Sequence, residues 1–335
     1  MSALPKVAFI AYGGTVASAV KAGIGAMPSL DVGEIARQMP EVQAIADVRP
    51  QPSRHLASPH MTVGDLMDIA AVARAATAQG CRGVVVSQGT DTVEEIAFGL
   101  DLVCPGDDPV VVTGAMRNSS LPSADGPANV IAAIRVAASD AARGLGALVV
   151  LNDEIHAARF VRKSHTQNPA TFRSATTGPI GWLAENDVRI ALRPTRRFHM
   201  SVPAGAAVRP VCLLKMALGD DGRLLQYLAI AGYAGLVLEG AGGGHVTQDV
   251  AAPGKLEALI ERMPVVLASR AGSGEVLRAT YGGFAGSATD LIRRGVIYAG
   301  ALDGPKARIL LTLLLMRGAE RAEIQRAFVE IGPLA

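Results

Sequence analysis

Val84-Val85-Val86-Ser87-Gln88-Gly89-Thr90-Asp91-Thr92 decides the fold of this chain. Three β-branched residues in a row, without polar alternation, suit a parallel strand covered on both faces. The run ends in a glycine-hinged turn that presents threonine hydroxyls and a carboxylate. Thr92 with Glu95 then reads as a capping box, opening a helix that carries Ile96, Leu100 and Val103. The same strand-to-turn grammar occurs earlier, where Val7-Ala8-Phe9-Ile10-Ala11 runs into Gly13-Gly14-Thr15. Ligands of open parallel sheets bind beyond the carboxyl ends of strands, at the point where the strand order reverses. The two turns are therefore expected to converge, gathering Thr15, Thr90 and Asp91 around one pocket. Free N–H groups and the helix dipole at the second turn favour negative charge there, including a developing oxyanion.

Outward from these turns the pattern continues as β, α, β, α, β. A periodic apolar stretch to residue 78 follows Thr62, with Asp65 at the capping position and Gly80 as a stop. Residues 109–113 and 147–151 read as further strands, separated by a helix over about 127–142. This order implies a parallel sheet with right-handed crossovers. Between 152 and 192, Phe160-Val161 and Val188-Arg189-Ile190 read as short extended pieces around Gly178, Gly181 and the Asn186-Asp187 turn, which predicts a hairpin extension. Residues 193–210 hold prolines and small residues with weak periodicity, and read as a linker. Beyond it, strands are expected over 211–216, 235–238 and 265–268, with helices near 223–231 and 256–263 and a buried helix face over 309–316. The expected architecture is α/β. A larger N-terminal domain over 1–192 has a doubly wound, mainly parallel sheet with a β-hairpin extension, and a smaller α/β domain occupies 211–335.

Composition narrows the function. The 335 residues carry a net charge of +2 and only 4% aromatic side chains, which supplies neither the basic stripe nor the stacking platform of a nucleic-acid binder. The longest aliphatic run, over 309–316, is far shorter than the ~20 apolar residues of a membrane helix. The start at Met1 runs straight into a strand without the pattern of a secretory leader, so a cytoplasmic location is expected. Cys81, Cys104 and Cys212 are widely spaced and odd in number, and the six histidines show no metal-ligand spacing. Neither a metal nor a cofactor is expected. A dinucleotide site is disfavoured because the first strand is not followed by G-x-G-x-x-G.

The ordered motifs resemble the asparaginase/glutaminase family. Tyr12-Gly13-Gly14-Thr15-Val16-Ala17 is similar to its first threonine signature and Gln88-Gly89-Thr90-Asp91-Thr92-Val93-Glu94-Glu95 to its second. Further matches follow in order at Gly114-Ala115-Met116-Arg117, Ser123-Ala124-Asp125-Gly126-Pro127, Lys163 before Ala170-Thr171-Phe172, and Lys306-Ala307-Arg308. The resemblance implies a threonine-nucleophile amidohydrolase that converts asparagine to aspartate and ammonia, with glutamine as a side substrate. Thr15 is then the attacking hydroxyl, assisted by Thr90, Asp91 and Lys163. Ser58, Gly89, Thr90 and Asp91 bind substrate, Ser58 at the α-carboxylate and Asp91 at the α-amino group. A homotetramer built from close dimers is also implied, with His245 and Asp290 contributing across the subunit boundary.

The chain departs from that pattern at several positions, Tyr12 and His245 among them, which stand where the family more often has threonine and asparagine. Pro59 stands where the family usually has glutamine, no tyrosine occurs between Ser18 and Ser29, and Ala288 stands where a glutamate is expected, with Asp290 two residues on. Two other readings share the fold: the amidase subunit of a tRNA-dependent amidotransferase, which would need a partner subunit and an extra amino-terminal domain, and a noncatalytic amino-acid sensor.

Overall fold

The computed structural model describes residues 3–14, 18–21, 25–28, 39–195 and 198–333. They form two compact units, 1–199 and 200–335.

In the first unit the strands are β1 (Lys6–Tyr12), β2 (Ser18–Lys21), β3 (Gly25–Pro28), β4 (Asp47–Pro50), β5 (Gly83–Gln88), β6 (Val110–Thr113), β7 (Ala147–Leu151), β8 (Glu154–Ala157), β9 (Arg162–Lys163), β10 (Phe172–Arg173), β11 (Gly181–Ala184) and β12 (Asp187–Ile190). Its helices are α1 (Val63–Ala78), α2 (Val93–Val103) and α3 (Gly126–Ala138). The main sheet has the order β12-β11-β8-β7-β6-β5-β1-β4. Strands β4, β1, β5, β6 and β7 are parallel, whereas β8, β11 and β12 continue the sheet antiparallel. The chain passes from β1 outward to β4 on one side and returns to β5 on the other. The order therefore reverses between β1 and β5, which puts the switch point at the two glycine turns.

Every residue of β5 is buried, as the run of valines requires of a strand covered on both faces. Val130, Ala133 and Ile134 of α3 pack with Val7, Phe9, Val85 and Val111 on one face. Helices α1 and α2 pack against each other and cover the other face. The sheet is thus doubly wound. The expected cap of α1 forms: Thr62 accepts from the Asp65 N–H while the Asp65 carboxylate accepts from the Thr62 N–H at 2.9 Å.

Three local readings need correction. Thr92 makes no side-chain cap on α2, because its hydroxyl accepts from Gln88 Nε2 at 3.2 Å and donates to the Ser58 carbonyl at 3.3 Å. The helix expected over 127–142 stops at Ala138, where Ser139 is extended (ψ 133°) and its hydroxyl instead accepts the Ala141 N–H of a following 3-10 turn. Phe160-Val161 is not a strand; the Phe160 N–H bonds back to Ala157 O in a turn, and extended pairing starts at Arg162. The hairpin extension itself is present as β11–β12, with Glu185 at φ 55° in its turn.

The second unit holds β13 (Val211–Lys215), β14 (Gly235–Gly240), β15 (Val265–Ser269) and β16 (Ile297–Tyr298) in a parallel sheet in that order. Its helices are α4 (Leu225–Leu228), α5 (Lys255–Ile260), α6 (Ala288–Arg293), α7 (Gly304–Met316) and α8 (Arg321–Ile331). Helices α4 and α5 are shorter than the sequence pattern predicts; the chain leaves α4 through Gly232 at φ 79°, a left-handed turn that suits glycine. Leu225, Leu256, Leu259 and Leu291 of α4 to α6 close a second core over Leu236, Leu238, Val265 and Leu267. No helix of the described residues is long and apolar enough to cross a membrane.

Candidate active site

Strands β1 and β5 end level, with Tyr12 opposite Gln88, so both turns leave the sheet at the same edge. Gly13 and Gly14 have φ of 79° and 77°, left-handed values that glycine adopts without steric cost. A Cβ on Gly14 would lie 2.2 Å from the Gly89 nitrogen, and one on Gly89 would lie 2.6 Å from Ser58 Oγ. Three chain segments thus approach more closely than any side chain at these two glycines would permit.

Ser58 enters through a short 3-10 turn, Ser58–His60, that carries Pro59 in its first positions, where a missing N–H costs nothing. Arg54 fixes the approach to that turn. Its guanidinium pairs with Asp65 at 2.6 Å and Asp68 at 2.8 Å on α1, and lies over the Tyr12 ring at 5.9 Å. Tyr12 is a buried aromatic at the end of β1, and burial pushes its phenol upward.

Lys163, Thr90, Asp91 and Ser58 meet at this point. Lys163 Nζ donates to Thr90 Oγ1 at 2.9 Å and to Asp91 Oδ1 at 2.6 Å. Ser58 Oγ donates to the other carboxylate oxygen of Asp91 at 3.0 Å and accepts the Asp91 N–H at 3.3 Å. The hydrogen bond from Lys163 is the main reason that the Asp91 carboxyl lies below its usual range; burial opposes the shift, and the lysine charge and the Ser58 hydroxyl add to it. Lys163 is mostly buried, with 17% of its side chain exposed, while Asp91 keeps 56% exposed and so retains an accessible face for a cationic group.

The lysine is delivered from elsewhere in the chain. It lies on the two-residue strand β9, and its own N–H donates to Glu94 Oε2 at 2.5 Å. Glu94 stands in the first turn of α2, directly after the threonine turn. Sequence reasoning quoted Glu94 only as part of a motif and gave it no role. The available signal was an acid fixed two residues beyond the reactive turn.

Other motif residues build the frame. The Asp125 carboxylate accepts the N–H groups of Met116 and Arg117 at 3.0 and 2.8 Å, so two of the quoted motifs bind one another. Lys306 pairs with Asp303 at 2.9 Å within α7 and its cap. Thr15 lies outside the described residues. Of the stretch from Ser18 to Ser29, the backbone of β2 and β3 is described, paired antiparallel from Ser18 opposite Pro28 to Lys21 opposite Gly25.

His245 and Asp290 belong to the second unit. The Nδ1 atom of His245 accepts the Ala288 N–H at 3.2 Å, its ring meets Tyr281 and Phe284 edge-on, and burial pushes the imidazole pKa down. Asp290 Oδ2 accepts from Gly286 N at 2.9 Å and pairs with Arg294 at 3.4 Å, so this carboxylate serves the local turn.

Comparison with known proteins gives a consistent picture. The N-terminal asparaginase family model matches residues 6–196, and the glutaminase/asparaginase C-terminal domain model matches 210–328. The chain is 32% identical to L-asparaginase 2 of Bacillus subtilis, over 98% of its own length and 87% of that protein. It is 34% identical to a probable L-asparaginase of Deinococcus radiodurans, over 98% of each. A glutamyl-tRNA(Gln) amidotransferase subunit of Methanosarcina acetivorans is 30% identical over 90% of this chain and 70% of that protein. The crystal structure of a probable cytoplasmic L-asparaginase from Campylobacter jejuni superposes with a TM-score of 0.87, at 28% identity, covering 97% of this chain and 99% of that one. With both family models matched in order across nearly its whole length, and with the two glycine turns meeting at the sheet's switch point, the chain belongs to the asparaginase/glutaminase family of amidohydrolases.

Proposed function

We propose that this protein hydrolyses L-asparagine to L-aspartate and ammonia through a threonine acyl-enzyme, with glutamine as a slower substrate. The observation that carries the reading is the single hydrogen-bonded group formed by Thr90, Lys163, Asp91 and Ser58, 2.6 to 3.0 Å apart, beside the turn that leads to Thr15. Thr15 Oγ attacks the side-chain amide carbon. As the C–O bond forms, the hydroxyl proton passes by way of the Thr90–Lys163 pair to the amide nitrogen. The C–N bond then breaks, ammonia leaves, and an ester to Thr15 remains. Water attacks the ester and returns its proton to Thr15 as aspartate departs.

Asp91 is ionised at neutral pH and offers its exposed face to the substrate's α-ammonium group, with Ser58 orienting the carboxylate. The turn at the start of α2 provides the positive backbone environment for the oxyanion. The working location proposed is the cytoplasm.

The test is ammonia release by the purified protein from L-asparagine, L-glutamine and the D isomers. Wild type should turn over L-asparagine fastest, and Thr15→Ala should abolish turnover while leaving the melting transition in place. Near wild-type turnover by Thr15→Ala would remove Thr15 as nucleophile. A second reading, the amidase component of a tRNA-dependent amidotransferase, is favoured by the 30% identity to the Methanosarcina acetivorans protein. Ammonia release that is weak alone and rises on adding a tRNA-binding partner would select it.

A further inference from the structure

The ribbon that delivers Lys163 is too short to hold itself. Strands β9 and β10 pair over two residues each, Lys163 opposite Phe172 and Arg162 opposite Arg173. Even a longer isolated hairpin is marginal in water. The position of Lys163 must therefore come from what the ribbon is tied to. Glu94 ties the β9 side through the Lys163 N–H.

The tie on the β10 side is a buried polar chain. Ser174 directly follows Arg173, and its Oγ lies 3.0 Å from His156 Nδ1; His156 Nε2 lies 3.3 Å from Glu154 Oε2. His156 and Glu154 are both on β8, in the main sheet. His156 is 1% exposed and Ser174 4%. An ionised carboxylate only accepts, so Nε2 carries the imidazole proton and donates to Glu154, leaving the Nδ1 lone pair for the Ser174 hydroxyl proton. Burial pushes His156 towards its neutral form; Glu154 opposes this and Arg173 adds to it.

Serine, histidine and a carboxylate in this order are also the parts of a nucleophilic triad. Here, however, the serine is enclosed and its Oγ faces the buried His156 ring, so an acyl substrate has no approach to it. The chain is suited to holding rather than attacking.

We propose that His156 is a positioning residue for Lys163: through Ser174 it fixes β10, and with it the β9 partner strand, to the main sheet, which keeps Lys163 Nζ in hydrogen-bond reach of Thr90 and Asp91. The inference rests on the reading of Lys163 as a proton-transfer group. A displacement of about 1 Å at such a group costs on the order of a hundredfold in rate.

Two substitutions separate the ties. His156→Asn places an amide near the Nδ1 position and keeps an acceptor for Ser174, whereas His156→Gln places it near Nε2 and gives up that contact. His156→Gln and Ser174→Ala should each lower kcat for L-asparagine by roughly ten- to a hundredfold with KM little changed, and the double variant should be no worse than either. His156→Asn should stay close to wild type. Wild-type kcat in both His156→Gln and Ser174→Ala, with Lys163→Met inactive, overturns the positioning role and leaves the proposed function standing. Full turnover in Lys163→Met overturns the proposed function itself. A loss that His156→Asn does not relieve, or that falls equally on kcat and KM, assigns the chain to general stability and also overturns the proposal. Should His156→Gln not fold, Ser174→Ala decides alone, since it removes one hydroxyl and little volume.

Discussion

At the scale of single residues, Lys163 links hydroxyl and carboxylate: one ammonium-type donor reaches Thr90 Oγ1 and Asp91 Oδ1 together. If these atoms pass one proton, removing either end should disable the same step. Thr90→Val and Lys163→Met are each expected to lower kcat by roughly a hundredfold or more, and the double variant by no more than the worse single one. Steady-state kinetics on the three variants check this, and additive losses would mean that Thr90 and Lys163 act separately. Little of this arrangement was legible locally. Lys163 stands in a basic cluster with Arg159 and Arg162 that looks like a solvated hairpin, and nothing in that stretch distinguishes the lysine. Its role and its grouping with Thr90 and Asp91 came from the resemblance, and the direct contacts to them, across 73 and 72 residues of sequence, from the folded chain. Thr92 failed as a cap for the same reason: the segment bearing Ser58, far away in sequence, competes for its hydroxyl.

At the scale of elements, the central strands of the main sheet were the most legible. β1, β5, β6 and β7 are covered on both faces, so burial itself selects an uninterrupted apolar run. Two-residue strands such as β9 and β10 carry no such signal, because their pairing is set by anchors outside them. Helix α3 was overextended because the apolar pattern runs on through Ala142, while Ser139 diverts the backbone into a separate turn. The glycine turns were read as hinges, and the structure adds why they must be glycine. Gly14→Ala puts a methyl group on top of the Gly89 backbone and a side chain at φ 77°. The β1 and β5 ends must then separate. This variant is expected to lose turnover by well over tenfold and to melt several degrees lower, as backbone strain of about 1–3 kcal/mol implies for a chain of this size. Differential scanning calorimetry with parallel kinetics measures both, and unchanged turnover would show that the two turns need not touch.

At the scale of the whole molecule, the two units have separate cores, and the residues proposed for chemistry all belong to the first. What the second unit does for the reaction is then a question of assembly. The family resemblance implies a homotetramer in which His245 of one copy serves the site of another, and the local structure favours His245 over Asp290 for that task. The carboxylate of Asp290 is committed to Gly286 and Arg294, whereas His245 stands among the half-exposed rings of Tyr281 and Phe284. The second unit also exposes Leu218, Leu224, Tyr227 and Ile230 within one short stretch, apolar surface of the kind that marks an interface. Light scattering is expected to give a mass of about four protomers of 34.5 kDa. The sharper test mixes defects. If sites are completed between copies, a Thr15→Ala subunit lacks a nucleophile but supplies an intact His245, and a His245→Ala subunit does the reverse. Paired in one dimer, the first provides the histidine that the second's threonine needs, so one of the two sites is whole. Co-expressed Thr15→Ala and His245→Ala chains should therefore regain turnover that neither homo-oligomer has. A tetramer whose mixed form is no more active than the average of its parents would place each site within a single chain.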